Sequence, residues 1–282
     1  MDVCDAFCGV GGFSAGAIEV GCRVVMGIDS SSGPLKLWAA NTGGQACRAT
    51  IGVDAVPWPE ARFDLHVHLS PACTDLSKAR AGSVSEAARV AALEMLCWCV
   101  ELVLKNEYRS WSLETVATPA TVQLFKSLVA AHGDAIAFST LDAADYGAPA
   151  SRLRLIASTP AVIRHLEEQP VKRVSIYDVF SAAKLPLPAD FIRSNTKKRN
   201  GMPCVRSVHE QAFTITASHP LTWCDRAGGT CRCLKVAESA CLMGFSPDWL
   251  LPNGARIGQR AVGNSVPVQL SAAIMRAAIA VR

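Results

Sequence analysis

No stretch of this chain approaches the roughly 18 consecutive apolar residues that a membrane-spanning helix needs. The nearest, MLCWCVELVL, carries Glu101, so neither a membrane span nor a membrane partner is expected. The amino terminus, MDVCDAFCGV, lacks a basic stretch followed by a long apolar one, and no secretory leader is read there. Twelve cysteines in 282 residues fall below the density of a small disulfide scaffold. Reduced thiols in a cytoplasmic or nuclear setting are therefore expected. Aromatic residues are few, at 6%. Charge is modest too: 18% of residues are charged and the net charge is +4. That alone does not mark a nucleic-acid binder, and local clustering must decide. Internal repeats and low-complexity tracts are absent.

What is plentiful is apolar: 50% of the residues are hydrophobic, which makes a globular chain and not a disordered one. The length suits one large domain, or a main domain with a smaller companion. VCDAFCG begins as a strand, breaks into glycines and restarts with helical spacing at Phe13, Ala17 and Val20. CRVVMGID reads as a second strand ending in Asp29, and DLHVHLS alternates with Leu65, Val67 and Leu69 on one face. SEAARVAALEMLCWCVELVLK predicts a long helix, SWSLETV a strand, ATVQLFKSLVAAHG a helix closed by Gly133, and RLRLIAS another strand. Strands alternating with helices up to residue 158 predict an α/β fold with a doubly wound, mostly parallel sheet, whose sites lie at the carboxyl ends of strands. Beyond that point prolines punctuate short segments, and residues 191–209 carry five Lys/Arg and no carboxylate.

The stretches with chemical character fall at strand ends. The glycines at 9, 11, 12 and 16 would let backbone approach a ligand, or would only make a tight turn. Asp29 could accept from ribose hydroxyls or cap a helix. Cys73, after the Pro71 turn, is either a thiol exposed to a cleft or an ordinary buried cysteine. Glu114 reads as a buried acid or a solvated edge carboxylate. Arg152 and Arg154 share one strand face and suit phosphate or base contacts, or form a surface pair. The pairs Cys97/Cys99 and Cys231/Cys233, with Cys224 and Cys241, lack the two to four intervening residues usual for zinc, and no metal is assigned.

In order along the chain, from Asp5 to about Ala278, these segments resemble the DNA cytosine-5 methyltransferases. DAFCGVGGFSAG resembles their first S-adenosylmethionine motif, GID the acidic second motif and SPACTDLS the catalytic Pro-Cys loop. LETV is similar to the Glu-Asn-Val motif and APASRLR to the Gln-x-Arg-x-Arg strand, while RCLKVAESACLMGFSPDW and VGNSVPV are similar to the last two motifs. The resemblance implies a class I S-adenosylmethionine methyltransferase fold. Its catalytic domain would comprise 1–158 and 256–282, with a small, irregular target-recognition domain over 159–255. It implies Cys73 as nucleophile, Glu114 as acid, Arg154 on the cytosine and Arg152 as a brace. S-adenosyl-L-methionine would lie against Phe7, Gly9, Gly11, Gly12, Asp29, Thr50, Ile51, Asn264 and Ser265. Double-stranded DNA would be the partner of a monomer, gripped by Ser77, Arg80, Arg193, Lys197, Lys198 and Arg199. A tRNA cytosine methyltransferase or a silent binding module are the competing readings. The chain departs from the family pattern at Ala72, Thr115, Ala150, Thr50, Lys235 and Ala237, while both arginines, the nucleophile and the acid are kept. The short segment between RLRLIAS and QAFTITASHP predicts a short target site.

Overall fold

The computed structural model of the chain describes residues 1–76, 84–197 and 201–282, for Thr196 and Lys197 the backbone alone. Seven strands form one sheet: β1 (Asp2–Ala6), β2 (Arg23–Asp29), β3 (Gln45–Arg48), β4 (Leu65–Leu69), β5 (Ser110–Val116), β6 (Ala137–Asp142) and β7 (Leu153–Ser158), in the order β3-β2-β1-β4-β5-β7-β6. Every pairing from β3 to β5 is parallel, and β7 runs antiparallel to both of its neighbours. The central strands β1, β4 and β5 are buried along their whole length, as strands covered on both faces must be.

Helices α1 (Gly12–Glu19), α2 (Ser32–Thr42), α5 (Pro160–Glu167) and α9 (Val268–Ala280) supply the core on one face, where Phe13, Trp38, Ile163 and Ile274 pack. On the other face α3 (Glu86–Lys105) and α4 (Pro119–His132) cover Leu65, Val67, Leu69, Trp111 and Leu113. Local chemistry sets the helix ends. Ser85 accepts from the Ala88 N–H at 3.2 Å, Glu86 lies in the first turn of α3 and Lys105 in its last, which suits the helix dipole. In α4 a Thr118–Thr121 capping box precedes Pro119 at the first turn, and Gly133 follows the end.

A second, four-stranded antiparallel sheet follows, with β8 (Phe191–Lys197), β9 (Pro203–Ser207), β10 (Thr222–Cys224) and β11 (Thr230–Cys233) in the order β11-β10-β8-β9. It packs with α6 (Ile176–Ala182), α7 (Val236–Leu242) and α8 (Ala255–Asn264) around Phe180, Ile192, Ile215 and Trp223. This part of the chain is more regular than the sequence predicts, because its strands (FIRSNTK, PCVRS, TWC and TCRC) mix polar and apolar residues without a sustained alternation and no long helix separates them. Helix α5, inside the segment 159–255, packs on α9 and β6. Val10, Ala150, Val262 and Val268 join the core of the second unit to the large sheet.

Candidate active site

The strand order reverses between β1 and β4, and a doubly wound sheet opens its crevice at such a reversal. The β1–α1 turn stands at that point. Phe7, Gly9 and Gly11 all take positive φ, at 61°, 53° and 90°. For the non-glycine Phe7 this conformation costs on the order of 1 kcal/mol or more and is typical of ligand-contacting turns. Asp29, ending β2, locks the turn: its Oδ2 accepts from the Gly9 N–H at 2.9 Å and its Oδ1 from the Ser31 N–H at 2.7 Å. Ala49 donates its N–H to the Asp29 carbonyl at 3.2 Å, so Thr50 and Ile51 adjoin the same corner. Thr50 is exposed, with its N–H bound to Asp54 Oδ2 at 2.6 Å, and Ile51 is buried.

The glycines of this turn differ in what surrounds them. A methyl group on Gly9 would meet nothing within 4 Å, so space opens there. On Gly11 it would lie 2.9 Å from Trp38 and 3.0 Å from Trp249, and on Gly12 2.3 Å from the Val266 carbonyl oxygen. Gly11 and Gly12 thus close against the protein. Ser265 stands beside Gly12 with its hydroxyl donated to the Ala261 carbonyl at 2.9 Å, and Asn264 is exposed at the end of α8. The open cradle at Gly9 and the carboxylate of Asp29, which has acceptor capacity beyond its two N–H partners, fit the methionine and ribose parts of S-adenosylmethionine.

Across the crevice four side chains from three segments converge. Cys73 lies half-buried in the turn after β4, where the Leu76 N–H donates to its carbonyl at 3.1 Å. Glu114 of β5 is only 5% exposed, and Arg154 of β7, 8% exposed, brings Nε to 2.6 Å from Glu114 Oε1. The N–H is not aimed at that oxygen, so neither atom completes a hydrogen bond among the described residues. Arg152, also buried, donates from Nη1 to the Ile215 carbonyl at 2.8 Å and from Nη2 to the Gly263 carbonyl at 3.0 Å. It ties β7 to the second unit and to the end of α8, and burial pushes its guanidinium down to about 9. The surface-pair reading of the two arginines does not hold, since both are buried.

Burial raises the Cys73 thiol above its ordinary value, and the Glu114 carboxylate raises it further. Arg154, Arg152 and a hydrogen bond with the Val116 backbone pull the other way. Net, the free protein holds a thiol and not a thiolate.

Of the residues expected to touch DNA, Ser77, Arg80, Lys198 and Arg199 lie outside the described residues, as does the side chain of Lys197. Arg193 of β8 donates from Nη2 to Thr230 Oγ1 at 2.8 Å, so part of its guanidinium is spent within the second sheet. Residues the sequence reading passed over are His66, His68, Ser110 and Ser112, buried beneath the site. The period-2 placement of polar residues in LHVHLS and SWSLE is the signal that marks them.

No protein-family model matches the sequence, and no curated protein matches it either. Among solved structures, the chain is similar to a protein described as a DNA modification methyltransferase encoded within an E. coli prophage. That match has 15% identity over 100% of this chain and 99% of that one, with a TM-score of 0.64. It is also similar to the Dnmt2 methyltransferase of S. pombe, at 14% identity, 99% and 98% coverage and a TM-score of 0.59. The Entamoeba histolytica methyltransferase EhMeth matches at 13% identity, 99% and 98% coverage and a TM-score of 0.62. The chain has the class I S-adenosylmethionine methyltransferase fold.

Proposed function

We propose that the chain is a DNA cytosine-5 methyltransferase acting through a covalent Cys73 adduct. The observation that carries this reading is the convergence of Cys73, Glu114 and Arg154 on one spot, with Arg152 bracing the strand behind them. S-adenosylmethionine, held by Phe7, Gly9 and Asp29 with Thr50, Ile51, Asn264 and Ser265 around them, would supply an electrophilic methyl group. Cytosine C5 is a weak nucleophile, so a group on the protein must activate it. Bond formation between Cys73 Sγ and C6 pushes electrons toward N3, and Glu114 supplies a proton there. Arg154, beside Glu114, holds the O2 edge. Loss of the C5 proton to water, departure of Cys73 as thiolate and return of the N3 proton by way of Glu114 to the thiolate restore the C5–C6 double bond and the free enzyme. The base must leave the duplex to reach this site.

The electrostatics of the site favour that division of labour. A thiolate at Cys73 and a carboxylate at Glu114 repel in a buried place. One proton shared between the two groups avoids that repulsion: it rests on Cys73 in the free protein and passes by way of Glu114 to N3 as Sγ bonds to C6. The test is to incubate the protein with methyl-labelled S-adenosylmethionine and either plasmid DNA or tRNA. Label in the plasmid supports the reading, label in tRNA alone transfers the same chemistry to RNA, and label in neither refutes it.

A further inference from the structure

Strands β1, β4 and β5 each carry a functional segment of the site, and beneath it they share one buried polar layer. Two residues before Phe7, Ser70 and Glu114 in the chain stand Asp5, His68 and Ser112. They are neighbours in register, Asp5 opposite His68 and His68 opposite Ser112, but Asp5 Oδ1 and His68 Nε2 have no hydrogen-bond partner among the described residues, so hydrogen bonds join β4 to β5 and the tie to β1 runs through α1. None is more than 1% exposed. Ser112 is the hub: its Oγ lies 2.8 Å from His68 Nδ1 and 2.9 Å from His66 Nε2, and His66 Nδ1 lies 2.8 Å from Ser110 Oγ. Helix α1 covers the layer. Phe13 stacks on His68 with ring centroids 3.5 Å apart, and Ser14 donates to Asp5 Oδ2 at 2.5 Å while accepting from Trp38 Nε1 at 2.8 Å.

Burial holds both imidazoles neutral, His66 pushed down to about 3 and His68 well below its ordinary value. Ser112 has one proton to give, so it donates to one ring and accepts from the other, and the two tautomers are set together. As a means of joining strands such a layer is uneconomical. Apolar side chains of similar shape do as well or better for stability, and the other face of β4 and β5 uses them, with Leu65, Val67, Leu69, Trp111 and Leu113. Hydrogen bonds add direction, fixing one ring orientation and one offset between strands.

We propose that His68 and Ser112, with His66 and Ser110 behind them, are positioning residues that fix β4 against β5 by hydrogen bonds, and that the Phe13 stack on His68 and the Ser14 bond to Asp5 carry the tie through α1 to β1, so that the cofactor turn, Cys73 and Glu114 meet in reacting geometry. The inference rests on the methyl-transfer reading above. A misplacement of about 1 Å at a reacting centre can cost on the order of 10² in rate, while apolar packing tolerates such slack. The experiment compares wild type with three variants. One is an apolar layer, His66→Val, His68→Leu, Ser110→Ala and Ser112→Ala together. The other pair is His68→Leu against His68→Asn, whose amide can keep the bond to Ser112 while both lose the stacked ring. Urea midpoints, cofactor affinity and single-turnover methyl transfer to plasmid DNA at saturating cofactor are measured for each. The expected result is an apolar layer as stable as wild type that transfers at least about tenfold more slowly, with His68→Asn recovering most of what His68→Leu loses. An apolar layer that transfers at the wild-type rate overturns the proposal alone. One that fails to fold also overturns it, by showing that the layer serves folding. Wild type that transfers a methyl group to neither plasmid DNA nor tRNA refutes the reaction itself, and the positioning role falls with it; transfer to tRNA alone moves the same comparison of variants to tRNA.

Discussion

The glycines of α1 separate two roles that the sequence leaves merged, and Gly12→Ala tests the separation. An added methyl would lie 2.3 Å from the Val266 carbonyl oxygen and 2.8 Å from Ser265 Cβ, where ordinary contact begins near 3.4 Å. Helix α1 would have to move about 1 Å from the segment leading into α9, and the atom it meets is backbone, which cannot swing aside. Overpacking of this kind costs about 1–3 kcal/mol. Alanine in a helix recovers about 0.5–1 kcal/mol relative to glycine, and Gly12 is not at positive φ, so no backbone strain is added. The two ranges leave a net loss of about 0–2.5 kcal/mol, and a 2.3 Å approach to rigid backbone places the expectation in the upper part, at about 1–2.5 kcal/mol. Gly16→Ala, with its methyl 2.3 Å from the Val268 carbonyl oxygen, should cost a similar amount. The double variant should cost less than the sum, because one shift of α1 relieves both contacts. Urea unfolding gives the stability, and calorimetric titration with S-adenosylmethionine under folding conditions gives the affinity. Stability within about 0.5 kcal/mol of wild type, with affinity lost, would refute the packing role of Gly12 and restore it to the cofactor cradle.

Asp29→Ala should weaken S-adenosylmethionine binding by roughly 1.5–3 kcal/mol, and should also loosen the turn by removing the acceptors of the Gly9 and Ser31 N–H groups. Unchanged affinity would reject its place in the cofactor site. Because burial and, after it, the Glu114 carboxylate raise the Cys73 thiol, alkylation of Cys73 in the free protein should quicken with rising pH through a value above that of an ordinary thiol, and Glu114→Gln should shift that profile part of the way to lower pH. A shift to higher pH would contradict the pairing. The same substitution should slow methyl transfer by a factor on the order of 10², and a rate within twofold of wild type would exclude Glu114 as the N3 partner. Only a short stretch of chain lies between β7 and QAFTITASHP, and each base pair read needs its own positioned side chains. Bisulfite sequencing of a treated plasmid should therefore reveal a target of roughly two to four base pairs, and a strict need for six would overturn the inference from length.

Strands β1, β2, β4, β5 and β7 were legible because they are apolar and bounded by strong helix signals: Ser85 and Gly133 mark helix ends in sequence and structure alike, whereas β6, only partly buried along its length, was not read as a strand. Strand β3, with exposed Gln45, Ala46 and Arg48, shows no apolar run, and nothing in its composition announces it. The second sheet was hidden for a related reason, its strands mixing polar and apolar residues without a sustained alternation. At the site, Cys73, Glu114, Arg152 and Arg154 could be named from spacing, but not their mutual geometry. Nothing local to Arg152 says that its guanidinium reaches the carbonyls of Ile215 and Gly263, 63 and 111 residues away. Gly12 was legible as a glycine with a purpose and not as a packing glycine, because Val266 comes to it from the far end of the chain.

The most direct measurement of the central claim is trapping on duplex DNA that carries 5-fluorocytosine in place of cytosine. Fluorine at C5 blocks the proton loss that releases Cys73, so with S-adenosylmethionine present wild type should accumulate a denaturation-resistant protein–DNA adduct, mapped by mass spectrometry of the digest to Cys73. Cys73→Ser should form no adduct and transfer no label to normal DNA while binding S-adenosylmethionine about as well as wild type. Methyl transfer by the serine variant, or wild-type transfer with no adduct on the fluorinated duplex, would contradict covalent catalysis by Cys73.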